Sequence, residues 1–116
     1  MFATLVAMTS QGSPYTRFQR ALKSGNLDIV TTALEELPRV DLLDQLDVVA
    51  LMAEQKDARY DRSAARFCAR LTTERALSVA ESRRVLALVE VLPLAPRPVA
   101  DHLRLYCKRP LAPAPS

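Results

Sequence analysis

Residues 13–38, SPYTRFQRALKSGNLDIVTTALEELP, decide the fold class. Ser13-Pro14 has the form of a helix start. A hydroxyl is in place to accept an orphan backbone N–H, and the proline after it lacks only a donor that the first turn leaves unused. Tyr15, Phe18, Ala21 and Leu22 follow at i, i+3, i+6 and i+7, along one face of an α-helix. Gly25 ends that helix in the left-handed conformation that helix C-termini favour. Asn26 then caps a second helix, whose apolar face is Leu27, Val30, Leu34 and Leu37 and which Pro38 stops.

Outward from this stretch the same punctuation recurs. Asp41 is placed to cap a third helix, with Asp44 in its first turn to complement the dipole. Leu42, Leu43, Leu46, Val49, Ala50 and Ala53, widened by Leu51 and Met52, predict that this helix is the most buried. Lys56-Asp57 reads as a short link. A fourth helix is expected from about Ala58 to Leu71, with Tyr60, Ala64, Phe67, Cys68 and Leu71 on one face. Ser78 and Glu81 have capping-box spacing. They open a fifth helix that carries Val85, Leu86, Val89 and Leu92 and stops at Pro93. This helix is apolar from Val85 to Leu92 except at Glu90, which places it at the centre of the fold or leaves Leu88 and Val91 for a partner. Leu94 to Pro98 reads as a proline-rich connector before a last helix, about Val99 to Lys108.

The expected fold is therefore all-α, with about six helices as stacked antiparallel helical hairpins, either a repeat-like solenoid or a compact bundle. Residues 13–109 are expected to form a single helical domain. Residues 1–12 are expected to be a disordered tail, within which Met8 offers a second start. Residues 110–116 are expected to be a flexible Pro-rich tail.

The segment Ala21-Leu22-Lys23-Ser24-Gly25-Asn26-Leu27-Asp28-Ile29-Val30, with Ala33-Leu34, resembles the helix-turn-helix core of an ankyrin repeat. The resemblance implies a helical hairpin and a repeat-like, protein-binding role. Two features depart from the family pattern. Ser13-Pro14-Tyr15-Thr16 stands about one helical turn ahead of where Thr-Pro-Leu-His would fall, and no second copy follows at the period of about 33 residues. The abundance of alanine and the excess of arginine over lysine also make the chain similar to small Ala- and Arg-rich helical proteins of actinobacteria.

Composition narrows the functional classes. The chain has 116 residues, 49% hydrophobic and 25% charged, an ordinary globular balance at the size of one domain. Two cysteines, Cys68 and Cys107, make no disulfide framework and sit among apolar neighbours as packed thiols. His102 is the one histidine, and no ligand spacing for a metal surrounds it. Two glycines cannot build a phosphate loop. The expectation is a non-enzyme without cofactor or metal. No apolar run reaches the ~20 residues of a membrane span, and the expected compartment is the cytoplasm.

Charge is the most informative feature. Residues 1–55 carry four basic and seven acidic side chains, whereas residues 56–116 carry twelve basic and six acidic. On the fourth helix Arg59, Arg62, Arg66 and Arg70 span only about 80° around the axis, roughly 140° from the apolar face. Little pairing within the helix is expected to neutralise them, Glu74 alone standing at i+4 from Arg70. The acidic set Asp41, Asp44, Asp47 and Glu54 on the third helix is a candidate counter-face. Arg83 and Arg84 add to the basic half. The six arginines 59, 62, 66, 70, 83 and 84 are the candidate partner-binding residues, suited to bidentate contacts with carboxylate or phosphate. The function expected is a protein–protein interaction module or small structural subunit that docks an acidic protein partner, with a homo-oligomer compatible. The alternative is a nucleic-acid-binding protein whose helix-turn-helix runs from Ala64 to Leu92. Glu81 in the first turn of its recognition helix and a long connector count against it.

Overall fold

The computed structural model describes residues 13–110. The tails expected at residues 1–12 and 111–116 lie outside the described residues. The chain divides into two compact units, residues 1–40 and 41–116. Among the described residues there are six α-helices and no strand.

The first unit is the hairpin that the opening stretch predicts. Helix α1 (Pro14–Ser24) starts at Ser13, whose side chain accepts from the Thr16 N–H, and Pro14 takes the first turn. It ends at Gly25 with φ 73°, where glycine alone escapes a Cβ clash. Helix α2 (Leu27–Glu35) begins under Asn26, whose side chain accepts from both Asp28 and Ile29. Phe18, Ala21, Leu27, Val30 and Ala33 are buried, whereas Leu22, Leu34 and Leu37 are half-buried and Tyr15 is exposed.

The second unit contains α3 (Leu42–Gln55), α4 (Tyr60–Glu74), α5 (Val79–Val91), a 3-10 turn (Leu92–Leu94) and α6 (Pro96–Cys107). Consecutive helices pack on one another, and α6 returns to pack on α3. That return closes a four-helix ring, a bundle arrangement that serial stacking of hairpins does not produce. Its core joins Leu42, Leu46, Val49 and Ala53 of α3 to Phe67 and Leu71 of α4, Val85 and Val89 of α5, and Leu103 of α6. As expected, α3 carries the most buried residues, seven in all.

Several boundaries differ from expectation for local reasons. Asp41 occupies the N-cap of α3, but its side chain makes no capping bond. Helix α4 runs on to Glu74 rather than stopping near Leu71. There the Thr72 hydroxyl donates back to the Cys68 carbonyl and Arg70 clasps Glu74. The supposed connector Leu94 to Pro98 contains the first turn of α6, with Pro96 at its start. Prolines are harmless in that turn because its N–H groups have no intrahelical acceptor. The capping box of α5 forms as predicted, Ser78 and Glu81 each accepting from the other's backbone N–H. Helix α5 is not central: Val85 and Val89 are its buried residues, while Leu86 and Val91 are exposed.

Candidate functional site

Helix α4 carries the arginine face because its apolar positions leave it no other place. Ala64, Phe67, Cys68 and Leu71 are buried in the second unit, which turns the opposite side of the helix outward. Arg59, Arg62 and Arg66 are exposed and Arg70 is half-buried.

The two ends of the stripe are tethered. Lys56 turns the chain with φ 53°, and Asp57 then accepts the Arg59 backbone N–H at 2.8 Å. The same carboxylate takes Nε of Arg59 at 2.8 Å and Nη2 at 2.9 Å. These bonds from Arg59 hold the Asp57 carboxyl down at about 2. The expectation that pairing would do little for the stripe fails here. A pairing two residues apart belongs to the turn before the helix, which helical spacing alone does not reveal. At the other end Arg70 donates Nε to Glu74 at 2.7 Å and Nη1 to Gln45 of α3 at 2.7 Å.

Between these anchors stand Arg62 and Arg66, one helical turn apart. Among the described residues neither has a hydrogen-bond or ion-pair partner. Like charges at i, i+4 repel by a few tenths of a kcal/mol. An anion placed between them would relieve that repulsion and gain charge-assisted hydrogen bonds.

One acid of α3 is engaged away from the stripe. Asp47 is taken by Arg104 of α6 at 2.8 Å, and this hydrogen bond pushes the Arg104 guanidinium up from its ordinary value. Asp44 is buried, and the α3 side chain that meets Arg70 is the neutral Gln45. Other cations of the basic half act as fasteners that sequence reading missed. Arg75 donates to the Cys107 carbonyl at 3.1 Å, and Arg109 pairs with Glu81, which holds α6 to the start of α5. Bonds between residues 28 and 57 positions apart leave no periodic signal in a sequence.

Arg83 and Arg84 are exposed on α5. They lie on a different helix from the stripe, and α5 packs on α4.

The remaining candidates have structural roles or no neighbours of interest. Cys68 and Cys107 are buried, free thiols. Burial pushes both upward, Cys107 to about 11. They are held as neutral thiols, the opposite of what a nucleophile requires. His102 is exposed. Among the described residues no group of His, Cys, Asp and Glu could hold a metal ion, and no helix is long and apolar enough to cross a membrane. The first unit has a shallow cleft of about 370 Å³ beside Ile29 and Thr32, rimmed by the Arg17–Glu36 ion pair at 2.8 Å.

No protein-family model, curated protein or solved structure matches the chain.

Proposed function

We propose that the protein is a non-catalytic interaction module that docks an acidic protein segment on the outward face of α4. The single observation that carries this reading is the contrast along the arginine stripe. Arg59 and Arg70 are held by Asp57 and Glu74, while Arg62 and Arg66 between them are exposed and without an anion. A carboxylate-bearing segment laid along the helix would meet two unpaired cations a turn apart. The guanidinium fork suits paired carboxylate oxygens better than a lysine would.

The test is a titration of a fluorescein-labelled Glu/Asp-rich peptide, followed by anisotropy, with duplex DNA as the competing probe. Arg62→Glu/Arg66→Glu is expected to weaken peptide binding by about tenfold or more, as loss of complementary interface charge does. Arg84→Glu is expected to leave it unchanged. Tighter binding of DNA than of peptide, with steep salt dependence, would transfer the function to nucleic-acid binding. Absence of peptide binding by the wild type would remove the proposal.

A further inference from the structure

The outer side of α5 has a pattern of its own. Val79 is 72% exposed, Leu86 52% and Leu94, just past the helix, 83%. Between them stand two exposed charges, Arg83 and Glu90. Val79, Arg83, Leu86, Ala87 and Glu90 fall within an arc of about 100°, the width of one helix-contact face. That face turns away from Val85 and Val89, which fill the core of the bundle. Arg83 and Glu90 have no hydrogen-bond or ion-pair partner among the described residues. Seven positions apart, about 10 Å along the axis, they cannot pair with each other.

Read in either direction the face is its own complement. Its order is apolar, cation, apolar, anion, apolar. Reversing the chain about the point between Leu86 and Ala87 sets Val79 opposite Leu94, Arg83 opposite Glu90, and Leu86 opposite the small Ala87. We infer that this face binds a second copy of the chain, with the two α5 helices antiparallel about a two-fold axis between Leu86 and Ala87. Each Arg83 then meets the Glu90 of the other copy, and each Leu86 packs over the other Ala87. This is the isologous arrangement, in which residue i meets residue j and j meets i. The antiparallel setting also places the helix dipoles head to tail. The contact runs over about sixteen residues, some 20 Å of α5 and the 3-10 turn that follows it. It belongs to the small, reversible class of interfaces, so self-association in the micromolar range is expected. The surface lies on a different helix from the arginine stripe, and neither depends on the other.

The experiment is sedimentation equilibrium of the full chain, with charge exchange at the two central positions. Arg83→Glu places two Glu–Glu contacts in the dimer and Glu90→Arg two Arg–Arg contacts, so each single variant is expected to dissociate at least about tenfold more readily than wild type. The two single variants mixed together are expected to associate with each other, because every contact is then again a cation opposite an anion. The double variant Arg83→Glu/Glu90→Arg is expected to self-associate as the wild type does. Both positions are exposed, and circular dichroism of each variant checks that the helices persist. A wild type that stays monomeric up to millimolar concentration overturns the inference. So does a mixture of the single variants that fails to associate.

Discussion

Tyr60 offers the sharpest test of how the bundle is held. It opens α4, its ring lies half-buried against the core, and its hydroxyl donates to the Val89 carbonyl of α5 at 2.5 Å. Tyr60→Phe keeps the ring and removes only the oxygen. The Val89 carbonyl still accepts the Leu92 N–H, so no buried acceptor is orphaned and the loss is that of one hydrogen bond, about 1 kcal/mol. With an unfolding entropy of about 2.1 cal/mol/K per residue over some hundred residues, that is a fall of about 4–5 °C in Tm at neutral pH. The pH dependence supplies an independent check. Burial pushes the Tyr60 phenol from 10.0 to about 12. The folded state therefore favours the protonated phenol, and this contribution is complete below pH 10 and lost between 10 and 12. The Phe variant has no such group. The gap in Tm between wild type and variant should narrow across that window, whatever the other groups common to both proteins do. Thermal unfolding followed by circular dichroism at a series of pH values reads both effects. Equal melting temperatures at neutral pH, or a gap that ignores pH up to 12, would refute the reasoning.

Three further outcomes are expected. Ser78→Ala removes the capping box of α5 and should cost about 1 kcal/mol in urea unfolding. The bond from the Ser78 backbone and the pairing with Arg109 hold the Glu81 carboxyl below its usual 4.5. Its contribution is therefore present above pH 4.5 and lost as pH falls through the lower folded value, so a Glu81→Gln variant should approach wild-type stability only in acid. Ala76 follows α4 with φ 48°. Ala76→Gly relieves the Cβ clash at some cost in chain entropy, for a net gain of about 0.5 kcal/mol; a less stable variant would show that the left-handed turn carries no strain. The buried thiols, raised to about 11 at Cys107, should resist iodoacetamide at pH 8 in the native state and react at once in denaturant. Rapid native labelling of either would contradict their burial.

What could be read from the sequence was what is decided locally. Ser13-Pro14, Gly25-Asn26 and Ser78-x-x-Glu81 act on backbone groups within four residues, and each does in the structure what its spacing predicts. Periodicity found part of each core, such as Phe18, Val30, Leu46, Phe67, Val85 and Leu103, but it also marked Tyr15 and Leu86, which are exposed, and passed over Ala33, Val48, Ala100 and Cys107, which are buried. It failed where one pattern has two physical outcomes. The apolar run in α5 fits a central helix as well as one with a spare face, and only the packed structure separates buried Val85 and Val89 from exposed Leu86 and Val91. Pro96 and Pro98 forbid a helix interior but suit a first turn, so the same residues fit a link or the start of α6. The arginine face itself was legible, because four arginines share one side of a helix whose other side is apolar. Which of them are engaged was not. That depends on the turn at Asp57 and on Gln45 arriving from α3, neither of which helix spacing encodes.

The most direct test of the central claim is affinity capture from nuclease-treated lysate of the source organism, with wild type beside Arg62→Glu/Arg66→Glu. Both side chains are exposed, so the variant should fold and melt as the wild type does. The account predicts a protein partner with an acidic segment that the wild type retains after nuclease and the variant loses. The same partners on both baits, or retention that vanishes with the nucleic acid, would contradict it.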